Sequence, residues 1–509
     1  MNQEHKSGGR NAKTERESRA SSIVQLRNQK RSDMLQKKRT ASITRGPTAY
    51  NIGEMAEKIN SNDIKQVIEG VTSFRRLLSA EKNPPIDSIV MNGLTPIFVK
   101  YTNPENPIYY TIEESDKIRL IHESAWVITN IASGSKAQTE AVIKAGAVRE
   151  LVKLLQVSSV DLQDQSIWAL GNIAGDCEAA RDAVIREGGV DLITRIVVKL
   201  LSEGKGSISV LRNAAWAMSN LNRGRSPPPD LAQMEKSLHV VLKLMQVEDS
   251  EIMVDTYWAL SYMCDAGEKQ VDMVIASGAI EALLKRLATY QGIGERGGAS
   301  FIPMKEELVT PIIRTIGNIA TYEDRHTDYI IKLGALSLLK NVFLFGVDNK
   351  KIAKIKKEIC WVVSNIAAGT PDQVDSVIRE GFLELLVSAL KNSDSLTKAE
   401  ACWALCNASM HGKTHKNHAR EIAKAGVIAA FGKFLPTVRN EPKIIIIILD
   451  CLLCLLECGR EDSLGGENAI VFEIEDAMLL DQIEELQESD NHGVVSRAEM
   501  ILSEYFYGG

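Results

Sequence analysis

The chain has 509 residues, 44% of them hydrophobic, 25% charged and only 5% aromatic. This composition is ordinary for a soluble protein and favours helices over β-sandwiches or barrels. The net charge of -6 is unevenly spread, because residues 1–45 carry +8 and the remainder carries -14. A basic arm on an acidic body indicates that the body binds basic ligands and that the arm can bind the body. We expect no direct nucleic-acid partner.

The first element in chain order is the basic arm, residues 1–45, which we expect to be flexible when unbound and to be followed by a linker over 46–62. No secretory signal is visible, because the first 20 residues are polar and charged. Most of the 8 cysteines lie in apolar helical stretches, which predicts reduced thiols in the cytoplasm or nucleus. A disordered basic tail that attracts nucleic acid is an alternative for the arm, but Leu26, Met34 and Leu35 add an apolar element that such a tail does not need.

A repeated five-residue frame marks the next region, residues 63–474. All six tryptophans begin this frame, and in most copies an asparagine follows four residues later. The copies are Trp126–Asn130, Trp168–Asn172, Trp216–Asn220, Trp258–Tyr262, Arg314–Asn318 (with arginine in place of tryptophan), Trp361–Asn365 and Trp403–Asn407. Their spacings of 42, 48, 42, 56, 47 and 42 residues indicate an armadillo or HEAT period with insertions.

Each unit is predicted to contain three helices. A glycine turn, as in Ala145–Ala147 and Ser277–Ala279, separates a short helix from a second helix with one apolar stripe, and a loop leads to a third helix that carries the frame. We expect a first unit over Ile64–Thr102, a late unit over Gly426–Gly459 and C-terminal capping helices or a last repeat over 475–509. The predicted fold is all-α, a right-handed armadillo-repeat superhelical solenoid of about ten repeats.

The frame has a chemistry that suits peptide binding. Positions i and i+4 lie on one helix face, so stacking would align the tryptophans and the asparagines in parallel columns. An asparagine amide can pair with the C=O and N–H of an extended peptide, and neighbouring indoles form slots for Lys or Arg side chains. Acids that border the frame would attract those cations: Glu123, Asp176, Asp255, Glu358 and Glu400. For a single repeat, a core tryptophan and a bracing asparagine would be the simpler interpretation, but core packing requires no recurrent amide at i+4.

These residues resemble the importin-α (karyopherin-α) family along nearly the whole chain. Ile167–Asp176 looks like that family's third repeat and Phe74–Leu78 like its first, while Gln25–Asp33 and Lys37–Arg39 look like its importin-β-binding arm. The resemblance implies a nuclear import adaptor that carries Lys/Arg-rich nuclear localisation signals and catalyses no reaction.

The resemblance also assigns site residues. The implied major signal-binding site comprises Trp126, Asn130, Gly134, Thr139, Gln165, Trp168, Asn172, Asp176, Trp216, Asn220 and Asp255. The implied minor site comprises Arg314, Asn318, Glu358, Trp361, Ser364, Asn365, Glu400, Trp403 and Asn407. The residues of the arm that would bind importin-β and fold back as an internal mimic of cargo are Arg27, Lys30, Arg31, Lys37, Lys38 and Arg39.

The implied partners are cargo proteins with basic signals, importin-β, and an export receptor acting with Ran-GTP on the acidic C-terminal segment. An acidic solvated helix is an equally good interpretation of that segment. The implied protein shuttles between cytoplasm and nucleus through nuclear pores and does not insert into membranes.

The main alternative is a cytoskeletal or adhesion scaffold built from the same repeat, as in catenin-like proteins, whose grooves tend to be basic. The basic arm and the Trp–Asn frame favour the adaptor. We expect no enzyme, cofactor or metal. The G-x-G-x-x-G pattern at Gly292–Gly297 follows a helix rather than a strand, and Cys451, Cys454 and Cys458 have apolar neighbours that favour buried thiols.

Overall fold

A computed structural model describes residues 51–80, 83–204, 207–290, 305–345, 350–410, 415–463 and 467–507. Across these ranges the secondary structure is helical, with 28 α-helices, three short 3-10 turns and no strand, which confirms the predicted all-α repeat class. The basic arm and the Gly292–Gly297 pattern lie outside the described residues.

The described chain divides into two compact units, one ending at Ala279 and one beginning at Ile280. The helices of the first unit are α1 (Ile52–Ile59), α2 (Ile64–Ala80), α3 (Ile86–Met91), α4 (Thr95–Thr102), α5 (Glu114–Ile131), α6 (Lys136–Lys144), α7 (Ala147–Leu154), α8 (Val160–Ala174), α9 (Glu178–Arg186), α10 (Gly189–Glu203), α11 (Ile208–Leu221), α12 (Leu231–Leu244), α13 (Ser250–Ala266) and α14 (Glu268–Ala276).

The second unit continues the same pattern. Its helices are α15 (Ala279–Tyr290), α16 (Glu306–Ile319), α17 (Asp324–Lys332), α18 (Ala335–Phe345), α19 (Lys350–Ala367), α20 (Pro371–Arg379), α21 (Phe382–Asn392), α22 (Ser395–Ser409), α23 (Lys416–Lys424), α24 (Val427–Phe434), α25 (Pro442–Asp462), α26 (Ala469–Asp476), α27 (Leu479–Glu485) and α28 (His492–Tyr505).

The glycine turn between the first and second helices of a repeat is present as the sequence predicts. At Gly146 and Gly381, for example, φ is 84° and 74°, a left-handed conformation that side chains with a Cβ rarely adopt. The same positive φ recurs at Gly93, Gly188, Gly278, Gly334 and Gly426. The turn folds the short first helix back onto the second, whose apolar stripe is buried, as at Leu151 and Leu386.

The third helices form the core of each unit. In the first unit α5 packs against α2 and α8, and α11 packs against α8 and α13. In the second unit α19 packs against α16 and α22, and α25 packs against α22 and α28. Because a third helix lies between two others, it is buried on most sides: Ile167, Leu170 and Ile173 of α8 have no exposed surface. These helices therefore hold their side chains in fixed positions.

The repeat that contains Trp216 and the one that follows it are joined without a glycine turn. A loop leads directly from α11 to α12. The Arg181 side chain, which is 1% exposed, fastens this loop by donating to the carbonyls of Arg223 at 2.7 Å and Pro227 at 3.0 Å. An ordered loop thus takes the place of the missing first helix.

One predicted boundary differs from the structure. Ile64–Thr102 does not form a single unit, because α2 is itself a third helix that packs against α5, whereas α3 and α4 are the first two helices of the repeat that ends with α5. The frame in α2 has Arg75 and Ser79 in place of tryptophan and asparagine, so the sequence motif was absent there.

The apolar helix α25 packs within the second unit. Its Cys451 and Cys454 are buried, as the sequence predicts for core thiols. None of the described helices combines the length and the apolar character that crossing a membrane requires.

Candidate functional site: two ladders of indoles and amides

The Trp–Asn frames occupy equivalent places on successive third helices. We call Trp126/Asn130, Trp168/Asn172, Trp216/Asn220 and Trp258/Tyr262 the first ladder; they lie on α5, α8, α11 and α13. We call Arg314/Asn318, Trp361/Asn365 and Trp403/Asn407 the second ladder; they lie on α16, α19 and α22. Each ladder lies within one unit, so its geometry can be described on its own.

The asparagines of the first ladder hold neighbouring helices together. Asn172 Nδ2 donates to the carbonyl of Thr129 at 3.3 Å, and Asn220 Nδ2 donates to the carbonyl of Gly171 at 2.8 Å. In both cases the acceptor is the residue directly before the asparagine position of the preceding third helix. The amide therefore fixes the offset between adjacent helices.

The second ladder repeats this bond. Asn365 Nδ2 donates to the carbonyl of Gly317 at 3.2 Å, and Asn407 Nδ2 donates to the carbonyl of Ser364 at 3.0 Å. The bracing role that a single repeat would suggest is thus real. The brace itself engages one amide proton, whereas an asparagine side chain has two protons and an acceptor oxygen. Asn407 Nδ2 donates in addition to Ser364 Oγ at 3.1 Å, and Asn172 Oδ1 accepts from Trp216 Nε1 at 3.3 Å. Asn172, Asn365 and Asn407 are only partly buried, so the remaining amide groups are within reach of a ligand.

The indoles fit closely against the preceding helix. A Cβ atom on Gly171 would lie 2.8 Å from Trp216 Cδ1, and a Cβ atom on Gly317 would collide with the Trp361 ring. Glycine at these positions therefore leaves the space that the next indole fills. Trp216 Nε1 also donates to Asn172 Oδ1 at 3.3 Å, which links the two columns of the first ladder.

The rings differ in how much surface they present. Trp168 is 8% exposed, Trp216 5% and Trp361 6%, so only an edge of each ring is accessible. Trp126 and Trp403 are partly exposed. A ligand could therefore contact ring edges and the spaces between rings, while most of each indole stabilises the stack.

Asp176 is the most available acid of the first ladder. It follows Asn172 by one helical turn and is partly exposed, and its carboxylate has no hydrogen bond or ion pair within the described ranges. The adjacent carbonyl of Gly175 accepts from Arg223 Nη2 at 2.7 Å, so that arginine is directed at the backbone. The Asp176 carboxylate is thus placed to accept a cation.

The other acids of the first ladder have partners within the protein. Asp164 Oδ2 accepts from Ser209 Oγ and Asp164 Oδ1 from Asn213 Nδ2, each at 2.7 Å. Asp255 is 9% exposed. We therefore expect Asp164 and Asp255 to add to the negative potential of the ladder rather than to contact a ligand directly.

A cation of the chain itself lies on the first indole of each ladder. The Arg75 guanidinium carbon is 4.9 Å from the centre of the Trp126 ring, and Arg75 Nε is 2.7 Å from Glu123 Oε2. The Arg314 guanidinium carbon is 5.3 Å from the centre of the Trp361 ring. Arg314 Nε is 2.7 Å from Glu358 Oε2. Arg75 was missed in the sequence, although its distance of four residues from Ser79 matches the Arg314–Asn318 frame.

His122 lies one turn before Trp126, and the two rings meet edge to face with their centres 5.8 Å apart. Burial lowers the pKa of His122, although the nearby Glu123 and Asp161 carboxylates act in the opposite direction. The imidazole is therefore neutral near pH 7. It adds no positive charge to the first ladder.

The remaining residues that the resemblance assigned to the first ladder are a mixture of surface and core. Gly134 is exposed in the turn after α5, whereas Thr139 is buried and donates to the carbonyl of Ala132 at 3.4 Å. Gln165 is buried and donates to Thr129 Oγ1 at 2.6 Å. Of these, Gly134 is open to a ligand, while Thr139 and Gln165 support the helices behind it.

In the second ladder the corresponding residues are nearly covered. Asn318 and Ser364 are each 7% exposed, and Glu400 is 6% exposed. Ser364 Oγ accepts from Asn407 Nδ2 at 3.1 Å, so it belongs to the brace. The six assigned residues of the arm, Arg27 to Arg39, lie outside the described residues.

Comparison with known proteins places these features in one group. The family model for the armadillo/beta-catenin-like repeat matches residues 135–175 and 370–410, which contain the Trp168 and Trp403 frames. The family model for the importin beta binding domain matches residues 2–73.

The similar proteins are as follows. Importin subunit alpha-1a of Oryza sativa subsp. japonica is 33% identical over 96% of this chain and 89% of its own length. Importin subunit alpha-4 of Arabidopsis thaliana is 33% identical over 98% of this chain and 90% of its own length. Among solved structures, an engineered protein superposes with a TM-score of 0.71 at 23% identity, covering 89% of this chain and 98% of its own, a likeness of fold.

Proposed function

This chain belongs to the importin-α family, and we propose that it is a nuclear import adaptor that binds Lys/Arg-rich localisation signals along its two ladders. The observation that carries the proposal is the combination, in the first ladder, of stacked indoles, the partly exposed Asn172 amide and the Asp176 carboxylate, which has no ion pair among the described residues. The indole edges would hold the alkyl stems of Lys or Arg, and the amides would pair with the peptide backbone.

The charge distribution supports the same ligand class. The chain outside the arm has a net charge of -14, so a basic peptide is attracted before it makes contact. Each cation–indole contact is worth roughly 0.5–1 kcal/mol at an exposed site, so useful affinity requires several neighbouring repeats. The three Trp–Asn pairs of the first ladder meet that requirement better than the two of the second.

We further propose that the N-terminal arm links cargo to importin-β and that, without importin-β, it occupies the ladders in place of cargo. The match of residues 2–73 to the importin beta binding domain supports the first role. The net charge of +8 on residues 1–45, opposite to that of the body, supports the second. Recycling by an export receptor with Ran-GTP, and shuttling between cytoplasm and nucleus, complete the proposed cycle.

Deleting residues 1–45 tests both roles. Affinity for a Lys/Arg-rich peptide, measured by fluorescence titration, should rise because an internal competitor has been removed, and capture by importin-β should be lost. Raising the salt concentration should weaken peptide binding in both proteins, because much of the attraction is between charges. Unchanged or weaker peptide binding by the truncated chain would argue against self-inhibition, and retained capture of importin-β would argue against the arm as its ligand.

A further inference from the structure

The first indole of each ladder already has an arginine on it. In both places the arginine occupies the tryptophan position of the preceding third helix: Arg75 on α2 and Arg314 on α16. Each guanidinium approaches the next tryptophan and also pairs with the acid three residues before that tryptophan, Glu123 or Glu358. A similar ion pair on an indole therefore occurs independently in the two units, although Arg75 is hydrogen-bonded to its acid, whereas Arg314 Nε lies 2.7 Å from Glu358 Oε2 without the alignment of a hydrogen bond.

An indole beside a carboxylate is the site that this surface offers to a Lys or Arg side chain of a ligand. At Trp126 and at Trp361, both parts of that site are engaged by an arginine of the chain. Arg75 uses two nitrogens, with Nε 2.7 Å from Glu123 Oε2 and Nη2 3.3 Å from Glu123 Oε1. A guest cation would have to displace this contact before it could bind.

The pairs are shielded from water, which makes displacement difficult. The Arg75 and Glu123 side chains are 11% and 13% exposed, and those of Arg314 and Glu358 are 9% and 8% exposed. Releasing the arginine would leave either it or the acid poorly solvated. A flexible surface lysine would exchange readily, whereas these arginines are fixed parts of the stack.

Resting on the proposed function, we propose that Arg75 and Arg314 are specificity-determining residues that close one end of each ladder to the cationic side chains of a ligand. They set the position at which the run of Lys and Arg in a bound peptide must stop. Glu123 and Glu358, which the sequence suggests as ligand acids, instead hold the closing arginines. The acids that bind a ligand lie further along the ladders, beginning with Asp176.

Oligoarginine peptides that lengthen one residue at a time test the closure of the first ladder. For the full-length chain, affinity should stop rising once the accessible slots are filled. The Arg75→Met variant keeps an apolar stem but exposes the Trp126 ring and the Glu123 carboxylate, so the long peptides should gain about threefold to tenfold in affinity while the short ones change little. Taking the ratio of long to short peptide affinities within each variant cancels competition from the arm.

The control is Arg76→Met, which removes the same charge from the neighbouring, exposed position of α2 and should leave the ratio unchanged. In the double variant Arg75→Met/Glu123→Gln the opened slot lacks its acid, so most of the gain should disappear. No gain in Arg75→Met, an equal gain in Arg76→Met, or a gain that persists fully in the double variant would overturn the proposal.

A second variant covers the case in which Arg75→Met does not fold. Glu123→Gln in the otherwise unchanged chain should leave oligoarginine affinity within about twofold of the original, because Glu123 already has its cation. Asp176→Asn should weaken the same peptide. If Glu123→Gln weakens binding as much as Asp176→Asn does, the closure is wrong and the proposed function stands. If the unaltered chain binds no oligoarginine at all, the proposed function itself fails.

Discussion

The two ladders share one construction but differ in charge. Both use asparagine amides to brace a third helix to the one before it, and in both the first indole has an arginine of the chain on it that pairs with an acid. The first ladder has three Trp–Asn pairs and Asp176, whose carboxylate has no partner among the described residues. The second ladder has two pairs, and Glu358 lies between Arg314 and Lys357, whose Nζ is 3.3 Å away. Bracing is therefore common to both, and we expect the two ladders to differ in ligand binding according to which carboxylates already have a cation from the chain.

The largest effect is expected from breaking the ion pairs Arg75–Glu123 and Arg314–Glu358. Glu358→Ala should reduce the free energy of unfolding by about 3 kcal/mol, because it leaves Arg314 nearly buried without its acid. Glu123→Ala should cost less, since its pair is somewhat more exposed. Urea unfolding followed by circular dichroism measures both. The Arg314→Met/Glu358→Ala variant should recover most of the loss, and failure to recover would show that the effect is one of packing.

The next effect tests whether the Asp176 carboxylate of the first ladder contacts a basic ligand. Asp176→Lys should weaken binding of a Lys/Arg-rich peptide by tenfold or more, since a charge-assisted hydrogen bond is worth about 1.5–3 kcal/mol, and helix content should be unchanged. Glu187→Lys is the matched control, with the same charge change at an exposed position at the end of α9. Fluorescence titration decides. If the two variants bind alike, Asp176 contributes only to the general negative potential and is not a contact.

The smallest effect concerns the braces. Asn172→Ala removes two hydrogen bonds, one to the Thr129 carbonyl and one from Trp216 Nε1, whereas Asn365→Ala removes one, to the Gly317 carbonyl. At about 1 kcal/mol for each bond, Asn172→Ala should be the more destabilising in urea unfolding. Equal losses, or none, would show that water replaces the braces without penalty.

Much of the fold was predictable because it depends on residue types that recur at regular spacing in the sequence. The tryptophan frame, the apolar stripes and the glycine turns at Gly146 and Gly381 each follow from residue type and spacing. The boundary of the first repeat was predicted wrongly because Arg75 and Ser79 stand at the tryptophan and asparagine positions of the frame. The helix that carries them and its packing are nevertheless those of a third helix.

The candidate site was less predictable, for a physical reason. Each brace ends on a backbone carbonyl, which every residue has, so the acceptor leaves no trace in the sequence. The pairing of Arg75 with Glu123 joins residues 48 positions apart, and a nearby acid looks the same in a sequence whether its cation comes from the chain or from a ligand. Only the structure distinguishes Glu123, which pairs with Arg75, from Asp176, which has no partner within the described part of the chain.

The amide brace has a consequence for the spacing of cationic side chains that the ladders can accept. Because a hydrogen bond to the main chain fixes the offset between neighbouring third helices, the spacing between neighbouring indoles is also fixed. If a basic peptide binds along the ladder, we therefore expect that a peptide whose Lys and Arg side chains are spaced differently from the indoles would have to bend or leave a slot empty.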